Sequence, residues 1–276
     1  MGDKVVGTAD GSFTIWSSEF GESYHSVSAG ALEESLKKFL IPSHLLFKPN
    51  KEVKILEVGF GLGYNFTVSV VHLLRNSPNT EIHYVAFEKE INPLIGELSL
   101  PEPYGDFYER LKEQLLKGRT LIEIDSVRLE ILLGDARRKV RALKETFDAV
   151  YHDAFSPRRN PELWTFEFFR ELKRLLRKDG WLVTYSTALP VRRALKEVGF
   201  KIFNTKPVGR RSPGTAATIS GKPLKESEIY PLSPKEERKL EISPKAVSFR
   251  DPCLCLSRKE ILNRYLLEVS KRERSF

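Results

Sequence analysis

An open α/β sheet, mostly parallel and covered by helices on both faces, is the fold that this sequence predicts, and three observations carry the prediction. Val53 to Leu74 reads as a short apolar strand, a glycine-rich turn and a helix, the first βα unit of such a sheet. Four further strand-like runs follow, with helix-like segments between them. Acidic residues stand at the carboxyl ends of successive strands, where open α/β sheets bind their ligands.

The elements follow in chain order. Residues 1–50 read as an extension that packs on the core: a polar hairpin around DGSFTIWSSEFGESYHS, then a helix over AGALEESLKKFL. The core is expected over 51–220. After the first strand, a helix is predicted from about Asn65 to Leu74. Strands are predicted at Glu81 to Glu88, Val127 to Asp135, Phe147 to Asp153 and Gly180 to Thr187. Between them, about 90–126 is too long for a simple crossover; its YGDFYERLKEQLL reads as an extra amphipathic helix that caps the carboxyl edge of the sheet.

Val140 and Leu143 give Arg137 to Lys144 a helical apolar spacing. Pro161 can open a helix over ELWTFEFFRELKRLLRK, with Gly180 as the stop signal after it. Pro190 opens another over VRRALKEV, ended by Gly199 before the strand-like FKIFNT. Residues 221–276, with several prolines and SPKEERK, read as a tail.

Composition narrows the class. At 276 residues and 41% apolar, the chain has enough material for a packed core, which excludes intrinsic disorder and a disulfide-stapled miniprotein. The lowest-charge stretch, Val58 to Val71, contains three glycines and an asparagine and falls short of the roughly 18 apolar residues of a membrane span. The first residues, MGDKVVGTADGSF, hold no apolar signal region. A soluble, cytoplasmic protein is the expectation, with no membrane association and no obligate protein partner. Cys253 and Cys255, one residue apart, suggest neither a disulfide framework nor a zinc spacing. With 45 basic against 37 acidic residues the net charge is +8, which attracts polyanions and puts nucleic acid among the candidate partners.

The chemistry gathers at the strand ends. Glu57, Gly59, Gly61 and Gly63 form E-x-G-x-G-x-G; a dinucleotide fingerprint needs its last glycine at 64, which is Tyr64, so the spacing favours the turn that binds a nucleoside sulfonium. Glu88, twenty-five residues past Gly63, is placed to accept from both ribose hydroxyls. Asp135 is placed to accept from an adenine amine. Each carboxylate alone also fits a strand-end or capping role. Together they point to S-adenosylmethionine, with no metal required. Asp153 opens DAFSPRRNPELW, where its carboxylate can hold an amine and take its proton. In the same loop Phe155 can stack on a base or cofactor, Arg158 and Arg159 can meet phosphates, and Trp164 reads as core.

These residues resemble the methyltransferase domain of the MnmC family of tRNA wobble-uridine modification enzymes. The resemblance covers DGS with Tyr24 to Ser26, EVGFGLGYNF, DAFSPRRNPELW, ALPVRRALKEVGF and the GRR near Arg210, spanning 8–220. It implies a class I, Rossmann-like methyltransferase fold. It also implies methyl transfer from S-adenosylmethionine to the exocyclic amine of 5-aminomethyl-(2-thio)uridine in the tRNA anticodon loop. By motif, Glu57, Gly59, Gly61 and Gly63 would shape the methionine end, Glu88 would hold the ribose, Asp135 the adenine, and Tyr24 would close the pocket. Asp153 would face the amine from beside the cofactor, while His25 stays outside the catalytic set. Arg158, Arg159, Arg192, Arg193, Arg210 and Arg211 are the candidate phosphate contacts. No second dinucleotide turn is seen, so the expectation is a methyltransferase standing alone, without FAD or an oxidase domain. Two competing readings are a small-molecule amine methyltransferase or aminopropyltransferase-like enzyme, and a non-catalytic RNA-binding protein.

Overall fold

The computed structural model describes residues 2–47, 51–208 and 213–274. A three-stranded antiparallel sheet of β1 (Lys4–Gly7), β2 (Phe13–Ser17) and β3 (Glu22–Ser23) begins the chain. Helix α1 (Ala31–Glu34) continues into a wider helical turn over Ser35–Leu40.

The core then alternates as the apolar periodicity requires. β4 (Glu52–Val58) leads through the glycine turn into α2 (Tyr64–Asn76) and β5 (Glu81–Glu88). α3 (Gly105–Leu116) and β6 (Leu121–Ile124) precede β7 (Val127–Leu133), α4 (Ala136–Lys139) and β8 (Phe147–His152). α5 (Phe166–Leu175) runs directly into β9 (Leu176–Thr184), and α6 (Leu189–Val198) leads to β10 (Lys201–Thr205) and β11 (Thr215–Thr218). β12 (Ile229–Tyr230), α7 (Pro234–Ile242) and α8 (Arg258–Glu273) complete the described chain.

The large sheet has the order β12-β10-β11-β9-β8-β4-β5-β7-β6. Its five central strands are parallel, and antiparallel pairing is confined to the two edges. Neighbouring residues of a strand serve opposite faces. Ile55 and Ala86 pack with Phe39, Tyr64 and Phe66, whereas Leu56 and Val85 pack with Trp164, Phe168, Val191 and Ile261. Both faces are covered, as the predicted doubly wound sheet demands. The chain leaves β4 to build outward through β5 and β7, then returns to its other side at β8. That reversal opens a crevice at the carboxyl ends of β4 and β8.

Several sequence expectations are corrected here. Pro161 opens only a short 3-10 turn, Pro161–Leu163; α5 starts later, with Thr165 accepting at 3.2 Å from the Phe168 amide as its N-cap. Gly180 is no helix stop but lies inside β9, where a Cβ would meet the Asp148 carbonyl oxygen at 2.6 Å. The helical reading of Arg137 to Lys144 shrinks to α4, one turn long. The stretch of about 90–126 supplies an antiparallel edge strand, β6, as well as helix α3. Tyr108 on that helix donates to the Leu62 carbonyl at 3.1 Å, tying it to the glycine turn.

The largest correction concerns 221–276. Its described part is folded onto the core: α7 and α8 each carry a complete capping box, at Ser233 with Glu236 and Ser257 with Glu260. Phe249, Asp251 and Ile261 are buried. The two cysteines pair as a disulfide, because left-handed Leu254 turns the chain back and leaves their Cα atoms 5.2 Å apart. No helix among the described residues is long and apolar enough to cross a membrane.

Candidate active site

A cavity of about 750 Å³ occupies the crevice. Its floor comes from the carboxyl ends of β4, β5, β7 and β8, and its roof from the N-terminal sheet. The roof is closed on itself by the Tyr24 amide donating to the Ile15 carbonyl and the His25 amide to Thr14 Oγ1. On the cavity side, Glu22 accepts from the Ser156 amide at 2.5 Å. Phe20 stacks on Phe155 with ring centroids 4.0 Å apart, and Tyr24 meets the same ring edge-on at 4.9 Å.

The glycine turn works by close approach. Gly59 has φ +90°, and a Cβ there would stand 2.7 Å from the Asp153 carbonyl oxygen. Gly61, at φ +56°, gives its amide to Glu88 Oε2 at 2.7 Å and faces the Tyr24 ring. Both line the cavity. Gly63 does not: it is the left-handed N-cap of α2, packed against Phe60 and Leu111, so its need for glycine is structural.

The strand-end carboxylates differ in their surroundings. Glu88, also bonded to the Lys89 amide at 2.7 Å, faces the cavity, and burial raises its pKa against the lowering effect of those amides. Asp135 faces it too while capping α4 through the Arg137 amide at 2.9 Å. Burial works to raise Asp135, but the bonds and charge of Arg137 hold it below the ordinary aspartate value. Arg137 in turn reaches the buried Asp251 at 2.8 Å and the Leu256 carbonyl at 2.7 Å.

Asp153 lines the cavity, and its Oδ2 accepts from Asn65 Nδ2 at 2.7 Å. Burial raises this carboxyl well above the usual range, followed by the charges of Glu34 and Glu57. Glu57 is corrected: it lies behind the cavity wall, fully buried, accepting from Asn65 at 2.8 Å and Tyr84 at 2.9 Å. Burial pushes it up to about 8.

The folded protein therefore keeps on Glu57 a proton that the unfolded chain releases near 4.5. Stability is expected to fall as pH rises from that value towards 8, because only the folded state binds the proton in that window. Melting curves across the window should show the decline shrink in Glu57→Gln; an unchanged slope would place the proton elsewhere.

The other predicted residues divide. Arg158 is exposed and Arg159 lies against Gly21, both beside the loop that forms the cavity mouth. Arg192 is corrected: at 3% exposed it is held by Thr215, Asn204 and Glu236, inside the fold and away from any phosphate. Arg193 pairs with Glu197 on α6. Arg210 and Arg211 lie outside the described residues. Trp164 is core, donating to the Phe155 carbonyl at 2.8 Å.

Sequence reasoning missed Asn65, Glu22, Glu34, Phe20 and Arg258 at this site. Asn65 stood in the quoted glycine motif, but nothing local shows that it meets a carboxylate 88 residues away. His25 also lines the cavity; burial lowers it to about 4, so the imidazole is neutral, and its ring stacks on Tyr64 at 5.0 Å.

Comparison with known proteins bears on this geometry. A family model described as S-adenosyl-L-methionine-dependent methyltransferase matches residues 102–220. An uncharacterized protein of Methanocaldococcus jannaschii is 32% identical over 94% of this chain and 70% of its own length. The tRNA 5-methylaminomethyl-2-thiouridine biosynthesis bifunctional protein MnmC of Polaromonas naphthalenivorans is 33% identical over 76% of this chain. The aligned part is about a third (33%) of that bifunctional relative. The crystal structure of MNMC2 from Aquifex aeolicus superposes with a TM-score of 0.90 at 41% identity, covering 98% of this chain and 86% of that one.

Proposed function

From the premise that this chain belongs to the S-adenosyl-L-methionine-dependent methyltransferases related to the MnmC methyltransferase domain, we propose that it methylates the exocyclic amine of 5-aminomethyl-(2-thio)uridine in tRNA. The observation that carries this reading is Asp153, a carboxyl at the end of β8 that opens into the cavity amid further acidic groups. Glu22, Glu88 and Asp153 face the cavity with no ion pair to any described residue. A chain of net charge +8 thus holds an acidic pocket. That contrast suits an acceptor that is cationic at its reacting end and polyanionic along its backbone.

The cavity fits the cofactor. Its volume lies within the range of ligand sites of this size, Gly59 and Gly61 line it with backbone alone, and Glu88 presents acceptor oxygens. Gly59, Gly61, Glu88, Asp135 and Tyr24 are the residues that would hold it. When bound, S-adenosylmethionine supplies an electrophilic methyl group on a sulfonium.

The chain's own residues do the rest. An alkylammonium must lose a proton before its lone pair can attack, and Asp153 attracts the cation and accepts that proton. Phe155, braced by Phe20 and Tyr24, offers an aromatic wall for the uracil ring. A wobble base sits at a loop tip and reaches a pocket without breaking a duplex. Arg158 and Arg159 at the mouth would meet flanking phosphates.

The test is transfer of labelled methyl to tRNA from cells lacking the activity, with nucleoside mass spectrometry. The expected product is 5-methylaminomethyl-(2-thio)uridine, with binding that weakens as salt rises. No transfer to tRNA, despite cofactor binding, would move the acceptor to a small-molecule amine, which the acidic pocket also suits. Tight tRNA binding without cofactor uptake would mean an RNA-binding protein.

A further inference from the structure

Behind Asp153 lies a buried row of polar groups that methyl transfer itself does not require. Asn65 is 2% exposed, and its Nδ2 donates one hydrogen to Glu57 Oε1 at 2.8 Å and the other to Asp153 Oδ2 at 2.7 Å. The Tyr84 hydroxyl donates to Glu57 Oε2 at 2.9 Å and closes the row. Asn65 Oδ1 is buried without a hydrogen-bond partner.

That unmatched oxygen is informative. Flipping the amide would aim Oδ1 at Asp153 Oδ2 and lose that bond whenever Asp153 is ionised, so the orientation seen is the one that serves an ionised Asp153. Leaving a buried acceptor unpaired costs about 1–3 kcal/mol. An apolar residue at 65 would strip Oε1 of the fully buried Glu57, and Asp153 Oδ2, of their donor, so the amide is what joins the two carboxyl groups.

We propose that Asn65 is the positioning residue of this site: by holding Oδ2 it turns the other carboxyl oxygen of Asp153 into the cavity, towards the incoming amine, while Glu57 anchors Asn65 from behind as an uncharged acid. The assignment of Asp153 to the amine rests on the function proposed above. The neutrality of Glu57 stands on the geometry. One amide bridges two carboxyl groups, and no ion pair to a described residue reaches either of them. The groups facing the row are Glu34, Glu88, Tyr84 and Tyr151, none of them a cation. Two anions in that setting do not both stay ionised. Both carboxyl groups are raised by burial, but only Asp153 opens into the cavity, where an ammonium can neutralise it. The shared proton therefore rests on Glu57 during turnover.

The experiment compares Asn65→Ala, Glu57→Gln and Glu57→Ala in the full chain, with calorimetry of cofactor binding alongside kinetics on tRNA. Glutamine is a neutral stand-in for a protonated glutamic acid: its oxygen can accept from Asn65, and the Tyr84 hydroxyl, which can rotate, then accepts from its amide nitrogen. A loss of position of this kind is expected to lower kcat in Asn65→Ala about a hundredfold. Cofactor affinity should hold, and Glu57→Gln should restore what Glu57→Ala loses. Cofactor affinity falling in step with kcat in Asn65→Ala would reduce Asn65 to a structural residue and overturn the proposal.

Infrared spectroscopy of the protein alone adds a readout independent of the acceptor. The carboxylic-acid stretch at neutral pH should lose the Glu57 band in Glu57→Gln and keep it in Asp153→Asn; an acid stretch unchanged by Glu57→Gln would overturn the proton assignment. Wild-type protein inactive on tRNA would sink the function proposed above, while the infrared bands would still decide where the proton lies.

Discussion

Asp153→Asn is expected to lower methyl transfer by about 10²–10⁴-fold, the range typical of a lost general base. Cofactor affinity should change little. The substitution is nearly isosteric, and the new side-chain oxygen can still accept from Asn65. Its amide nitrogen would then point into the cavity and present a donor where a cationic amine needs an acceptor. The backbone of Asp153, whose amide donates to Val58 at 2.9 Å and whose carbonyl abuts Gly59, keeps the pocket shape. Single-turnover rates and calorimetric affinity, measured on the same preparation, separate the two effects; a variant within a few-fold of wild type would remove Asp153 from the chemistry.

The pH profile adds a sign. Burial first, then Glu34 and Glu57, raise Asp153 well above the ordinary carboxylate range. The rate should therefore climb with pH through that raised value, because only the ionised carboxylate accepts a proton. Glu34→Gln, which removes the larger of the two charge effects, should move the acid limb to lower pH.

Asp251→Ala is expected to cost about 3–5 kcal/mol of stability, the effect of breaking a buried charge pair from one side. Asp251 is fully buried and accepts from Arg137 at 2.8 Å and from the amides of Cys255 and Leu256 at 3.0 and 3.1 Å. Its own amide donates to Glu167 at 2.8 Å. Removing the carboxylate leaves Arg137 short of a partner and frees the loop that leads into α8, whose Arg258 lines the cavity. Denaturant midpoints should show the loss, with Arg193→Ala as a control because its partly exposed pair on α6 is worth less than about 1 kcal/mol. A comparably small effect for Asp251→Ala would mean that the C-terminal segment is not an integral part of the core.

The parts of this protein legible in its sequence are those written within a few residues. Short apolar runs marked β4, β5, β7 and β8, because a strand covered on both faces carries apolar side chains on both. Glycines marked the turn after β4, because Gly59 and Gly61 take positive φ where backbone and ring approach closely. The positions of Glu88, Asp135 and Asp153 followed from where such strands end, and Gly199 closed α6 as expected.

Other features depended on what covers what. Arg192 and Arg193 are adjacent in sequence and alike in charge, yet one lies under α7 bonded to Glu236 and the other lies on the helix surface. Gly63 and Glu57 belong to the same motif as Gly59 and Gly61 but face away from the cavity, because the helix and strand that follow and precede the turn carry them into the core. The C-terminal segment looked like a tail because of its prolines and its charged SPKEERK run; Phe249, Leu254 and Ile261, packed in the core, and the buried Asp251 fasten it. Residue type and local spacing thus determined the sheet, the turn and the strand-end acids. Only the tertiary structure decided which charges are desolvated, and so which are reactive, because desolvation is set by neighbours brought from distant parts of the chain.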